Sequence, residues 1–241
     1  MGESRRSAFD CFHGAGCCGA RRRLRRDWKD SSVSSRQTAF VGDVHGNLAA
    51  LDGAIRAIAD DPMIEHIVFL GDYLNKGYDS CAVLERLLHL VGSGRATVLR
   101  GNHEAEMLTA LETGDLTAFL KMGGARTIRS YVGGRVGADV LADLRVHLPA
   151  THLRFLRSME DTYETSGVIA SHSPAGGTDM RFRIAAHVPV GPLPLVTSTF
   201  AHLDTDCGSP TGRLTIFCWP AKTFTQVDAH GRIVSNDKQG A

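Results

Sequence analysis

Three short apolar runs in this 241-residue chain end in the same way, and that repetition limits the fold more than any other feature of the sequence. Thr38-Ala39-Phe40-Val41 runs into Gly42-Asp43, Ile64 to Leu70 into Gly71-Asp72, and Thr97 to Leu99 into Gly101-Asn102-His103-Glu104. Helical spacing follows each time: Leu48, Leu51, Ile55 and Ile58 behind an Asn47 cap; Val83, Leu84, Leu87, Leu88 and Val91 behind Asp79; Met107, Leu108 and Leu111 behind the third. A short apolar run, a glycine turn and an amphipathic period predict strand, loop and helix. Three such units in series predict a mainly parallel sheet, with polar loops meeting in one crevice at the strands' carboxyl ends.

The middle, from about Leu116 to Glu164, reads as helices broken at Gly123-Gly124 and Gly133-Gly134. Beyond it the pattern turns β-like: Gly167 to Ala170 leads into Ser171-His172, Arg183 to Ala186 into His187, Leu214 to Cys218 reads as a closing strand, and Gln226 to Val234 as a hairpin around His230-Gly231. A 43% hydrophobic composition suffices for one filled core at this length.

Charge is nearly balanced at +1, which excludes a chain that is polybasic or acidic throughout. The first 36 residues nevertheless hold nine basic and four acidic side chains, with arginines at 21, 22, 23, 25 and 26. They lack a sustained period, so residues 1–37 are expected to form a basic, disordered extension, 38–235 the folded domain and 236–241 a polar tail. No run approaches the roughly 18 apolar residues of a membrane helix, and the cysteines show no CxxC spacing. A cytoplasmic protein with free thiols and no membrane partner is expected. The arginine-rich head alone is a weak argument for nucleic acid, and none is expected as a partner; the oligomeric state is open.

The strand ends supply Asp43 and His45, then Asp72, then Asn102 and His103, and later His172 and His187. Carboxylate, imidazole and amide oxygen converging from separate strands are donors suited to divalent ions such as Mn2+, Fe2+ and Zn2+. Asp72 is placed to serve two ions at once, and a two-metal site activates water and clamps phosphoryl oxygens.

GDVHG from Gly42, GDYLNKG from Gly71, GNHE from Gly101, SHSPAGG from Ser171 and AHVPV from Ala186 together resemble the blocks of the calcineurin-like metallophosphoesterases. The match is to the phosphoprotein phosphatase branch and its bacterial members, and it runs from about Thr38 to Val234. Gly123-Gly124, Thr127, Ser130-Tyr131 and Leu203-Asp204-Thr205 are similar to the bacterial subgroup as well. The resemblance implies an α/β sandwich of two mixed β-sheets flanked by helices. It implies two divalent cations, manganese first with iron or zinc as alternatives, one held by Asp43, His45 and Asp72, the other by Asp72, Asn102, His172 and His187. It also implies hydrolysis of a phosphoprotein by a metal-bridging hydroxide, with His103 protonating the leaving oxygen, Asn75 orienting His103, and Lys76, Asn102 and Arg183 steadying the phosphoryl group. Relatives with the same blocks cleave dinucleoside polyphosphates, and a degenerate, non-catalytic phospho-ligand binder is the other alternative.

The chain departs from the pattern in two places. Asn75 and Lys76 stand where the family has Asp and Arg, which costs a full negative charge beside His103 and the planar two-point grip on phosphate. Only fourteen residues separate His172 from His187, a shorter connection than the family's, and Ala186 and Val188 replace its Gly and Thr.

Overall fold

The computed structural model describes residues 36–174 and 176–237; the expectations for the head up to position 35 and for positions 238–241 lie outside them. The three repeated units fold as read: β1 (Gln37–Val41), α1 (Leu48–Ala59), β2 (Ile64–Phe69), α2 (Ser80–Gly92), β3 (Ala96–Val98) and α3 (Asn102–Thr113). The Asn47 side chain accepts from Ala50 N and caps α1, whereas Asp79 occupies the cap position of α2 without a side-chain bond. Its N–H donates instead to Gly46 O at 3.0 Å, which ties the second loop to the first.

The helical middle comprises α4 (Thr117–Lys121), α5 (Gly124–Val132), α6 (Val140–His147) and α7 (Ala150–Ser158). Gly123 and Gly133 bracket α5 at φ +89° and +67°, a left-handed backbone that glycine adopts without strain. The strands that follow are β4 (Thr162–Glu164), β5 (Val168–Ser171), β6 (Phe182–Ala185), β7 (Leu195–Val196), β8 (Phe200–His202), β9 (Asp204–Thr205), β10 (Arg213–Trp219), β11 (Thr223–Asp228) and β12 (Ile233–Asp237).

The first sheet has the order β12-β11-β10-β1-β2-β3, with β9 paired to β10; the second runs β4-β5-β6-β8-β7. Only β1, β2 and β3 are parallel to one another in the first sheet, and β10, β11 and β12 are antiparallel. This corrects the expectation of a mainly parallel sheet. The tight turns joining β10, β11 and β12 permit only antiparallel pairing, and β10 then docks beside β1 instead of forming a separate closing edge. The expected hairpin around Gly231 is the β11–β12 pair.

Strands β1 and β2 are buried on both faces, which explains their unbroken apolar runs. Ala39, Val41, Ile67 and Phe69 face the helices, while Phe40, Val68 and Leu70 face the second sheet and meet Val168, Ala170, Phe182 and Ile184. Helix α1 packs on β10 and β11, and α2 on β3. Each fully buried aromatic or aliphatic side chain stabilises this arrangement by roughly 1.5–3 kcal/mol, which anchors the strand ends that carry the polar loops.

Candidate metal centre

The loops leaving β1 and β2 are laced together by backbone bonds. Val44 N and His45 N donate to Asp72 O at 3.1 and 2.8 Å, Gly46 N to Tyr73 O at 2.7 Å, and Gly77 N to His45 O at 2.8 Å. Glu104, the third residue of α3, fastens the set from below: Oε2 accepts from Asp72 N and Gly101 N, and Oε1 from Tyr73 N and Leu74 N. Gly101 is required where it stands, since a Cβ there would come within 2.2 Å of Asp72 Oδ1. His45, Asp72, Asn75, Lys76, His187 and Asp206 all adopt positive φ, between 48° and 70°. Left-handed non-glycine residues are costly, and six of them in one region show loops held in shape by their surroundings.

The side chains converge. His45 Nε2 lies 3.6 Å from Asp43 Oδ2 and 3.9 Å from Asp72 Oδ2, and His103 Nε2 lies 3.6 Å from Asp72 Oδ2. His172 Nε2 lies 3.4 Å from Asp72 Oδ1, 2.9 Å from Asn102 Oδ1 and 3.1 Å from His187 Nδ1. Two groups of donors thus share Asp72: one with His45 and His103, the other with His172 and His187.

The ring orientations suit a cation. His45 Nδ1 and His172 Nδ1 face the carbonyls of Leu74 and Leu70 at 3.2 and 3.1 Å. A carbonyl only accepts, so each Nδ1 carries the proton and each Nε2 turns a lone pair inward, the arrangement metal-ligating histidines use. Neither carboxylate oxygen of Asp43 has a hydrogen-bond partner, although the residue is 2% exposed. Asn102 can present its nitrogen to His187 Nδ1 and His172 Nε2, which satisfies the chain without metal; presenting oxygen creates a cage of acceptors that a cation fills.

Electrostatics point the same way. Burial, then the charges of Asp72 and Asp204, push the Asp43 carboxyl well above its usual range, and burial, then Glu104, does so for Asp72. Burial depresses His45 well below the usual imidazole value, with Lys76 and His103 adding to it, and holds His103 down to about 4 and His172 to about 3. Acids resisting ionisation and bases resisting protonation are what desolvation produces at a site, and the Lys76 ammonium offsets it only in part for the two carboxyls. The residues fit a pair of divalent ions.

Asp43, His45, Asp72, Asn75, Asn102, His103, His172 and His187 are therefore brought together, as is Lys76, whose Nζ lies 2.8 Å from His45 Nε2. The short connection still delivers His187, because β5 and β6 run parallel and end on the same side. Arg183 is not in the cluster. It pairs in register with Ile169, one strand over, and alternates with the inward-facing Phe182 and Ile184, so it points to the outer face of the second sheet. There it donates to Gly177 O and lines a cavity of about 190 Å³ with Ser171, Phe200 and His202. Arg181 pairs with Asp179 and Glu164.

Three residues were not assigned roles from the sequence. Glu104 was in view within GNHE, but its four backbone bonds were not. Asp204, 1% exposed, adds negative charge next to Asp43. Thr127 reaches Asn75 from α5, and no spacing rule joins residues 52 positions apart.

Comparison with known proteins agrees with this geometry. The family model described as calcineurin-like phosphoesterase matches residues 37–180. Serine/threonine-protein phosphatase 2 of Escherichia coli K12 is 36% identical over 89 residues, covering 37% of this chain and 39% of its own length. Serine/threonine-protein phosphatase 1 of Salmonella typhimurium is 32% identical over 114 residues, 47% of this chain and 51% of its own. The chain thus spans about half or less of the length of these curated relatives. A candidate diadenosine tetraphosphatase of known structure superposes with a TM-score of 0.58 at 21% identity, over 80% of this chain and 93% of its own, which speaks for the fold alone. A family match over more than half the chain, with the family's histidines and carboxylates meeting at the ends of its strands, places the chain in the calcineurin-like phosphoesterase family.

Proposed function

We propose that the chain is a metal-dependent phosphoesterase that acts as a serine/threonine protein phosphatase. The observation that carries this reading is the convergence of buried Asp43, His45, Asp72 and His172 with half-buried Asn102 and exposed His187, the Nε2 lone pairs of His45 and His172 being turned inward. Asp43, His45 and Asp72 would hold one divalent ion, and Asp72, Asn102, His172 and His187 the other. Imidazole, carboxylate and amide oxygen suit manganese, with iron and zinc as the competing ions. Bound there, two such ions lower the pKa of water and neutralise phosphoryl oxygens.

The chain's own groups supply the rest. Lys76 brings an ammonium to the first loop's histidine, within reach of a phosphoryl oxygen, and it does so as a point charge without an arginine's fork. Asn102 sits half-buried beside His172 and His187, where an amide can also steady phosphate. His103 has its Nδ1 tied to Asn75 and its Nε2 turned toward the cluster, so Nε2 is the atom that meets the leaving oxygen. No described helix is long and apolar enough to cross a membrane, and the free thiols of Cys81, Cys207 and Cys218 fit a reducing cytoplasm.

The test uses the full chain loaded in turn with Mn2+, Fe2+, Zn2+ and Mg2+. Phosphate release is measured from a phosphoserine peptide, para-nitrophenyl phosphate and diadenosine tetraphosphate, alongside metal content. Two ions per chain and turnover of the phosphopeptide support the proposal. Preference for the dinucleotide moves the chain to the dinucleoside polyphosphate hydrolases. Two bound ions without hydrolysis of any substrate mean a non-catalytic phospho-ligand binder.

A further inference from the structure

Asn75 is fully buried, and its amide is held from both ends. Its backbone N–H donates to Thr127 Oγ1 at 2.9 Å and to Ser80 Oγ at 3.2 Å. Thr127 Oγ1 also meets Ser80 Oγ at 3.0 Å; with Ser80 as the donor of that pair both lone pairs of the Thr127 hydroxyl are taken, and it donates its own proton to Asn75 Oδ1 at 2.7 Å. With Oδ1 engaged, Nδ2 points at His103 Nδ1, 2.6 Å away. An amide nitrogen only donates, so Nδ1 must be the accepting nitrogen of the ring. The ring's single proton is then at Nε2, which faces the cluster with Asp72 Oδ2 3.6 Å away.

We infer that Thr127 is a positioning residue: through the Asn75 amide it fixes His103 in the tautomer protonated at Nε2. A carboxylate at position 75 would accept a proton from Nδ1 whatever Thr127 did. With Asn at that position the polarity of the bond depends on which end of the amide the hydroxyl selects. The consequence concerns the substrate and rests on the reading of His103 as the group facing the leaving oxygen. A neutral ring that keeps Nδ1 as an acceptor offers Nε2–H as a hydrogen bond and retains its proton. The P–O bond therefore breaks with the electron pair leaving on an oxygen that takes its proton from water afterwards. Aryl esters and phosphoanhydrides, whose leaving oxygens are weakly basic, tolerate this; alkyl esters are slowed.

The experiment is long-range proton–nitrogen NMR on the 15N-histidine-labelled full chain loaded with diamagnetic Zn2+, with the His103 signals assigned by their loss in His103→Asn. The expected result is protonation at Nε2 in the parent chain and in Thr127→Ser, which keeps the hydroxyl. In Thr127→Val the amide is released to turn, and proton density moves to Nδ1. In parallel, Thr127→Val should change the ratio of aryl to alkyl phosphate turnover by about tenfold, with Thr127→Ser restoring it; a purely structural loss would lower both together. Protonation at Nδ1 in the parent chain overturns the inference, and so does an unchanged tautomer in Thr127→Val. Should that variant fail to fold, the parent spectrum decides alone. The spectrum does not require turnover, so a chain with Nε2 protonated but no hydrolysis would sink the enzymatic reading and leave the positioning role intact.

Discussion

Lys76 Nζ lies 2.8 Å from His45 Nε2, the nitrogen whose lone pair the ring turns into the cluster. An ammonium thus rests on a donor that the first metal ion would need, with Asp206 at 3.9 Å as its only ion-pair partner among the described residues. Its left-handed backbone, φ 54°, aims the side chain inward. Lys76 therefore has two opposed effects, competing with the cation and attracting phosphate. In Lys76→Met, metal should bind more tightly by about 1.5 kcal/mol, roughly the worth of a charge-assisted hydrogen bond, while KM for a phosphomonoester rises. Calorimetric titration with Mn2+ and steady-state kinetics check the two halves. Weaker metal binding in the variant would show that Lys76 supports the site instead of competing for it.

Asn75→Asp should favour the difficult substrates. With Thr127 donating to one carboxylate oxygen, the other can accept from His103 Nδ1–H and stabilise the doubly protonated ring. Turnover of a phosphoserine peptide is expected to rise at least about tenfold, since general-acid help is worth about 10²–10⁴, while para-nitrophenyl phosphate changes little. Equal alkyl turnover at constant metal content would remove position 75 from any explanation of activity.

The strand-end donors were legible because each one closes an apolar run: a strand buried on both faces can put a carboxylate or imidazole only at its tip. Arg183 shows the opposite case. It lies inside a strand between apolar Phe182 and Ile184, and that alternation already turns it away from the face where His172 lies. The placement of β10 beside β1 was not legible, since pairing across the sheet depends on register with residues almost 180 positions away. Thr127 and Asp204 stand in stretches that resemble the bacterial subgroup, but their roles are hidden for the same reason: each acts on a partner far away in the chain, Thr127 on Asn75 and Asp204 on Asp43.

Glu104 is the fastening of the second loop. Its two oxygens accept four backbone N–H groups at 2.8 to 3.1 Å, which offsets part of the burial that raises its pKa. In Glu104→Gln one end of the side chain becomes a donor facing two N–H groups. A loss of about 3 kcal/mol is expected, the scale of two charge-assisted hydrogen bonds, together with weaker metal retention because Asp72 is no longer held. Urea unfolding and metal analysis after dialysis test it. Unchanged metal content in a destabilised variant would confine Glu104 to stability alone.

Asp43 should respond in opposite directions to mutation with and without metal. Its carboxyl is buried without a hydrogen-bond partner, and burial, Asp72 and Asp204 raise its pKa well above the ordinary 3.8. A raised folded pKa means the folded chain holds its proton longer than the unfolded one. The folded state therefore carries no penalty below about pH 3.8 and loses stability as pH climbs through the folded value. At pH 7 with chelator present, Asp43→Asn removes a buried carboxyl whose ionisation burial and its acidic neighbours oppose, and should be more stable than the parent by about 1–3 kcal/mol; at pH 3 the gain should vanish. Saturating Mn2+ should reverse the order, because the parent gains the linkage energy of a bound ion and the variant lacks one of the ligands that hold it. Thermal unfolding at the two pH values, with chelator and with Mn2+, reads all three comparisons. A variant less stable than the parent at pH 7 in chelator would mean that Asp43 is already paired in the metal-free chain, and the argument for a cation at this position would lose its strongest support.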